Sequence, residues 1–179
     1  KLVIEQAKTQ GVAEEKLNIF ETQLTPTAQV NEPKLAVQNL KANNPPVQQL
    51  SSILEHYQNG RLSDAEKLSV EITQDFPKHY IAWKLLGAVL EATGRISEAV
   101  NANSTAVALS PQDAEAHNNL GSTLQKLGRL DAAEASFSQA ITLQPDYAEA
   151  HHNLGNALKD LGRMEDSVSS FQQAFANRT

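Results

Sequence analysis

Four Gly-Arg dipeptides stand 34 residues apart: Gly60-Arg61, Gly94-Arg95, Gly128-Arg129 and Gly162-Arg163. Pro77, Pro111 and Pro145 keep the same 34-residue spacing. Two punctuation marks on one period mean stacked supersecondary units, each too small to bury its apolar face alone. Such a stack contacts only its neighbours in sequence and offers a long surface. Function is therefore to be sought along an extended face rather than in a single pocket.

From Val47 onward the pattern alternates helix and turn. Helices are expected over 47–58, 62–75, 79–93, 96–109, 113–127, 130–143, 147–161 and 164–177. Each glycine closes the first helix of a pair, because glycine adopts the left-handed conformation that ends a helix. Ser63, Ser97 and Asp131 are expected to satisfy free N–H groups at the next helix start. Glu165 supplies a favourable charge near such a start. Each proline prevents continuation of the second helix. The arginines have no role beyond solvation in the turn. Within the third unit His117, Leu120, Gly121, Leu124 and Leu127 line one side of the first helix, and Ala133, Phe137, Ala140 and Ile141 one side of the second. The small residues permit close approach of the helix axes, and Phe137 fills the space beside them.

The first 46 residues lack this order. Residues 1–24 read as an irregular helical segment, a decayed half repeat with Leu17, Phe20 and Leu24 on one face. Residues 25–46 read as a Pro/Asn-rich linker with a short helix over Lys34–Lys41 between its prolines, or as a segment that packs on the array or on another chain. Residues 47–179 hold four units, 47–79, 80–113, 114–147 and 148–179. The chain starts without Met and stops at the end of a repeat, so it reads as a piece of something longer.

Composition removes several function classes. There is no Cys, so disulfides, thiolate metal sites and cysteine nucleophiles are excluded together. The net charge of −6 argues against a broad nucleic-acid surface, which needs a basic stripe. No apolar run approaches the roughly 18–20 residues that span a bilayer, and no secretory leader is seen, which favours the cytoplasm. Catalysis has no foothold either, since no nucleophile-elbow phrase and no Gly-rich phosphate loop occurs. His117, His151 and His152 invite a metal reading. Adjacent His151 and His152 point about 100° apart on a helix and no H-E-x-x-H spacing occurs, so packing or groove lining is the better reading. The acceptor-like triplet Asn103-Ser104-Thr105 falls inside an expected helix and is discounted as a glycosylation site, and Asn177-Arg178-Thr179 has the same pattern. No cofactor is expected, and the chain is not expected to be an enzyme.

The set Leu120-Gly121, Gly128, Ala133, Phe137, Ala140 and Pro145 resembles the tetratricopeptide repeat. The second unit matches with Trp83, Leu86-Gly87, Gly94, Ala99, Ala106 and Pro111, but has Asn103 where the aromatic belongs. The fourth has Ser167 for the small Ala. The first keeps Gly60, Ala65 and Pro77 but has Ile53 at the Gly position. Units three and four share 15 of 32 aligned residues, close enough for a recent duplication. The resemblance implies an all-α fold, a right-handed superhelical solenoid of antiparallel helix pairs. It also implies a concave groove, lined by first helices, that holds a peptide or protein. The near-identical units and the His-Asn-Asn-Leu-Gly phrase are similar to bacterial arrays fused to glycosyltransferase, sulfotransferase or iron-dependent oxygenase domains.

The groove candidates are Lys84, Asn118, Asn119, Ser122, Gln125, His152, Asn153, Asn156 and Lys159. Asn119 and Asn153 lie one period apart and would stack as a short ladder, similar to that of the O-linked N-acetylglucosamine transferase superhelix. An amide both donates and accepts, so such rungs suit an extended peptide backbone. A carboxylate clamp of the chaperone-tail kind is set aside, because Ala88, Glu149 and Asn153 stand at positions that it needs otherwise filled. The expected function is a protein–protein interaction scaffold. The alternatives are a non-catalytic targeting region of a larger enzyme, or a self-associating module whose last helix exposes Phe171 and Phe175. Expected partners are a protein or peptide, not nucleic acid or a membrane interior, and a second copy joined through the repeat ends or N-terminal segment.

Overall fold

The computed structural model describes residues 44–177. The expectations for residues 1–43 lie outside the described residues. Eight helices occupy the described part: α1 Val47–Gln58, α2 Leu62–Asp75, α3 Tyr80–Ala92, α4 Ile96–Leu109, α5 Ala114–Lys126, α6 Leu130–Leu143, α7 Ala148–Asp160 and α8 Met164–Ala176. They fall within one residue of the expected ranges, and the described residues contain no strand.

The Gly-Arg phrase explains how one helix hands over to the next. Gly60, Gly94, Gly128 and Gly162 all have positive φ, between 71° and 79°. Arg95 N–H donates to the Leu90 carbonyl at 2.9 Å and Gly94 N–H to the Glu91 carbonyl at 3.0 Å. This is the paired 6→1 and 5→2 closure of a Schellman turn. The other three turns repeat it, with Arg61 on His56, Arg129 on Leu124 and Arg163 on Leu158. The chain leaves the arginine straight into the next helix. The N-cap residues are therefore Arg61, Arg95, Arg129 and Arg163, with no side-chain cap. This corrects the capping role expected of Ser63, Ser97 and Asp131. They already lie within the first turn, where Asp131 and Glu165 instead place negative charge at the positive end of the helix dipole.

The arginine side chains also have partners. Arg95 pairs with Glu98 on its own helix and with Glu66 on α2, one unit back. Arg163 pairs with Asp166 at 2.9 Å and with Glu134 on α6 at 2.7 Å. Arg61 reaches Glu55 at 3.5 Å. At Arg129 the register-equivalent positions hold Val100 and Ala132, so that turn lacks the bolt. The arginines lie at the surface, where solvent screens such pairs and they add little stability.

Every helix packs on the next, and successive first helices also touch: α1 on α3, α3 on α5 and α5 on α7. Successive second helices do not pack on one another. The stack therefore curves with first helices inside and second helices outside. Its core runs between units. Ile53, Ala65, Ile72, Ala82 and Val89 join α1, α2 and α3. Val100, Leu124, Ala133, Phe137 and Ala157 join α4 to α7.

Within each pair the contact turns on one position of each helix. A Cβ on Gly121 would lie 2.6 Å from Phe137 Cε1, and one on Gly155 2.7 Å from Phe171 Cε1. Glycine is required there because the ring occupies that space. In the second pair Asn103 takes the ring's place, with Oδ1 2.2 Å from a Cβ on Gly87. In the first pair the sizes are exchanged: Ile53 stands for the glycine and Ser69 for the ring, both fully buried. Ser69 satisfies its hydroxyl on the Ala65 carbonyl at 2.6 Å. Ser167, the substitute for the small Ala, donates to the Gly155 carbonyl at 2.8 Å. Phe171 is half-buried against Gly155, which corrects its expected exposure; Phe175 is 78% exposed.

Candidate functional site

The inner face is built from α1, α3, α5 and α7, with residues in 34-residue register across the four helices. Polar bridges mark the seam between neighbours. Lys84 Nζ donates to Asp113 Oδ2 at 3.0 Å and to Glu115 Oε2 at 2.8 Å. One unit on, Asn118 Nδ2 donates to Glu149 Oε1 at 3.2 Å, and Asn118 Oδ1 accepts from Asn153 Nδ2 at 3.0 Å. Because a carboxylate only accepts, the Glu149 contact fixes the orientation of the Asn118 amide. At the far end of the same helices, Gln125 donates to Asp160 at 2.7 Å, and Lys126 pairs with Glu91.

These bridges sort the groove candidates. Lys84 has a side chain only 12% exposed and is held by its two carboxylates. Asn118 is 1% exposed and ties α5 to α7. Asn153 turns to Asn118 rather than standing as a free rung over Asn119. Gln125 is half-buried and engaged by Asp160. Asn119, Ser122 and Asn156 are half-buried on the same face, and their side chains form no hydrogen bond among the described residues. Lys159 is exposed and forms no ion pair among them. His152 is exposed, with its ring 5.4 Å from that of Phe171.

The electrostatics follow from this arrangement. Burial alone would lower the Lys84 pKa, but Glu115 and Asp113 outweigh it and the net direction is upward. Burial, together with the charges of Glu149, Glu115 and Asp113, pushes the Tyr147 phenol well above its ordinary value. Three carboxylates thus crowd the N-terminal edge of α5 and α7 against one ammonium group.

Asp113 and Tyr147 were missed as part of this cluster. Their signal lay in the register, since each stands 29 residues after Lys84 or Asn118, just ahead of a first helix. Asp113 also caps α5, accepting from Ala116 N–H at 3.2 Å. A second missed element is the Asn103 link. Asn103 Nδ2 donates to Thr123 Oγ1 at 2.7 Å, joining α4 to α5. Asn103 is buried, in keeping with its dismissal as a glycosylation acceptor.

The histidines have a structural place. Trp83 Nε1 donates to the Pro77 carbonyl at 2.9 Å. His117 Nε2 lies 3.1 Å from the Pro111 carbonyl and His151 Nε2 2.9 Å from that of Pro145. A carbonyl only accepts, so Nε2 carries the proton in both. The imidazole thus repeats the indole's bond, tying the inter-unit loop to the first helix. Among the described residues no group of His, Asp and Glu could hold a metal ion, and no helix is long and apolar enough to cross a membrane.

A family model described as TPR repeat matches residues 87–128 and 121–162, and one described as Tetratricopeptide repeat matches 148–177. The chain belongs to the tetratricopeptide-repeat family. Its helix pairs form that family's right-handed superhelical solenoid, a protein-interaction scaffold. Solved structures of MamA share the fold. One is 19% identical with a TM-score of 0.68, covering 96% of this chain and 92% of that one. Another is 24% identical with a TM-score of 0.67, covering 77% and 76%. The MamA RS-1 ArsTM double mutant is 18% identical with a TM-score of 0.68, covering 98% and 90%. At these identities the likeness is one of fold alone. No curated protein matches the chain in sequence.

Proposed function

We propose that this scaffold holds an extended segment of a partner protein along its inner face, over α5 and α7. One observation carries the reading. Asn119, Ser122 and Asn156 line that face, yet their side chains bond nothing among the described residues. Their neighbours Lys84, Asn118, Gln125 and Asn153 hold the array together, which leaves these three with donors and acceptors directed to the groove. Amide side chains suit a peptide backbone, because each offers both partners that a peptide group needs. The array supplies binding and positioning, with chemistry left to the partner.

The test is the pair Asn119→Ala with Asn156→Ala, since neither residue supports the array. Affinity for a partner recovered by pull-down should fall about tenfold, as expected for two lost hydrogen bonds. The thermal midpoint should stay in place. Unchanged affinity sinks the proposal.

A second reading, self-association, is favoured by the outer side of α8. Val168 is 54% exposed there, whereas the register-equivalent Val100 is 7% exposed under the next unit. Met164 and Phe175 extend the same apolar patch. Analytical ultracentrifugation should show a dimer that Val168→Glu dissociates. A chain that stays monomeric at high micromolar concentration rules this reading out.

A further inference from the structure

The groove changes character along the stack. The position facing inward at the start of each first helix holds Val47, Ile81, Glu115 and Glu149 in turn. The central position holds Leu54, Ala88, Ser122 and Asn156. The first two units therefore present an apolar floor and the last two a polar one. Val47, Tyr57 and Ile81 are among the few large apolar side chains left exposed. Leu54 and Leu85 lie half-buried between them. Exposed apolar residues gathered on one concave face mark a contact surface.

Charge specifies what lies beside it. Lys84 is already shared by Asp113 and Glu115. Glu149 is exposed, accepts only the Asn118 amide and meets no cation among the described residues. At the opposite edge of α7, Lys159 has no carboxylate partner. The N-terminal edge of α5 and α7 is thus negative, while at their other edge exposed Asp160, which accepts only the Gln125 amide, offsets Lys159. A cation on the ligand is drawn to the first, where carboxylates outnumber the one ammonium group.

We propose that the groove takes a two-part peptide segment. Apolar side chains of the ligand seat over α1 and α3, against Val47, Leu54, Tyr57 and Ile81. A Lys or Arg a few residues away lies against Glu149 and Glu115. This rests on the groove reading above and names the chemistry of its ligand.

The experiment is selection from a phage-displayed library of random peptides on the immobilised full chain. Enriched peptides should carry an apolar block and a Lys or Arg block in one fixed order. Synthetic versions with the basic residues changed to Glu should bind about tenfold more weakly, with the difference shrinking at high salt. Selection on Glu149→Lys should lose the basic block but keep the apolar one, and Ile81→Ser should weaken the apolar block. Acidic peptides, or peptides with no apolar block, overturn the proposal. Selected peptides that bind Ser122→Trp as tightly as the native chain lie outside the groove, and refute the groove reading itself. No enrichment at all refutes both.

Discussion

The exchange of sizes between Ile53/Ser69 and Gly121/Phe137 gives a test of how the pairs are held. A Cβ at Gly121 meets three Phe137 ring atoms at 2.6, 2.7 and 2.9 Å. Ordinary contact begins near 3.4 Å, so the ring would have to withdraw. It has no room, being fully buried against Val100, Leu124, Ala133 and Ala157. Gly121→Ile alone should cost about 3 kcal/mol through overpacking. Phe137→Ser alone should cost about 4 kcal/mol through the cavity it leaves. Together they recreate the solution used in the first pair, where Ser69 bonds the Ala65 carbonyl. Ser at 137 would have the Ala133 carbonyl at the same offset. The double variant should therefore cost about 4 kcal/mol rather than about 7, a coupling near 3 kcal/mol. Urea unfolding followed by far-ultraviolet circular dichroism measures all four corners of this cycle. Additivity within about 0.5 kcal/mol would refute the claim that these two positions fill one space.

Further outcomes follow from the same contacts. Gly128→Ala meets nothing within 4 Å, but φ there is 78°; it should destabilise by about 1 kcal/mol through backbone strain alone, read as a lower urea midpoint. His117→Trp should keep the bond to the Pro111 carbonyl and hold stability, whereas His117→Phe should lose about 1 kcal/mol; equal midpoints would remove the histidine's assigned place. Lys84 and Tyr147 both have raised folded pKa values. Each contributes stability that is present below its unfolded pKa and lost as pH rises, so urea midpoints should decline from about pH 10 upward. Tyr147→Phe should shallow that decline, and a profile parallel to the native one would contradict it.

The architecture was legible because glycine and proline carry backbone meaning that packing does not alter. Gly60, Gly94, Gly128 and Gly162 adopt the positive φ that their spacing demanded, and Pro77, Pro111 and Pro145 each follow a completed second helix. Capping was less legible. Ser63, Ser97 and Asp131 have the right chemistry, but the Schellman turn delivers the chain into the next helix one residue after the glycine, too early for them to cap it. The arginine's partners were hidden for another reason. Glu66 and Glu134 lie 29 residues back, and only stacking brings them near. The site was half visible. Periodicity pointed to Asn118, Asn119, Asn153 and Asn156 as one inner face. It could not separate Asn118 and Asn153, which bind each other between helices, from Asn119 and Asn156, which do not. That distinction depends on the 35-residue offset between Asn118 and Asn153, one more than the repeat, which the period alone does not reveal.

The most direct test of the scaffold account is site-specific photo-cross-linking. A photoreactive side chain at Ser122 on the inner face is compared with one at Ser138, exposed on the second helix α6. The account predicts that a partner is captured from position 122 and not from position 138. Capture from 138 with none from 122 would contradict it.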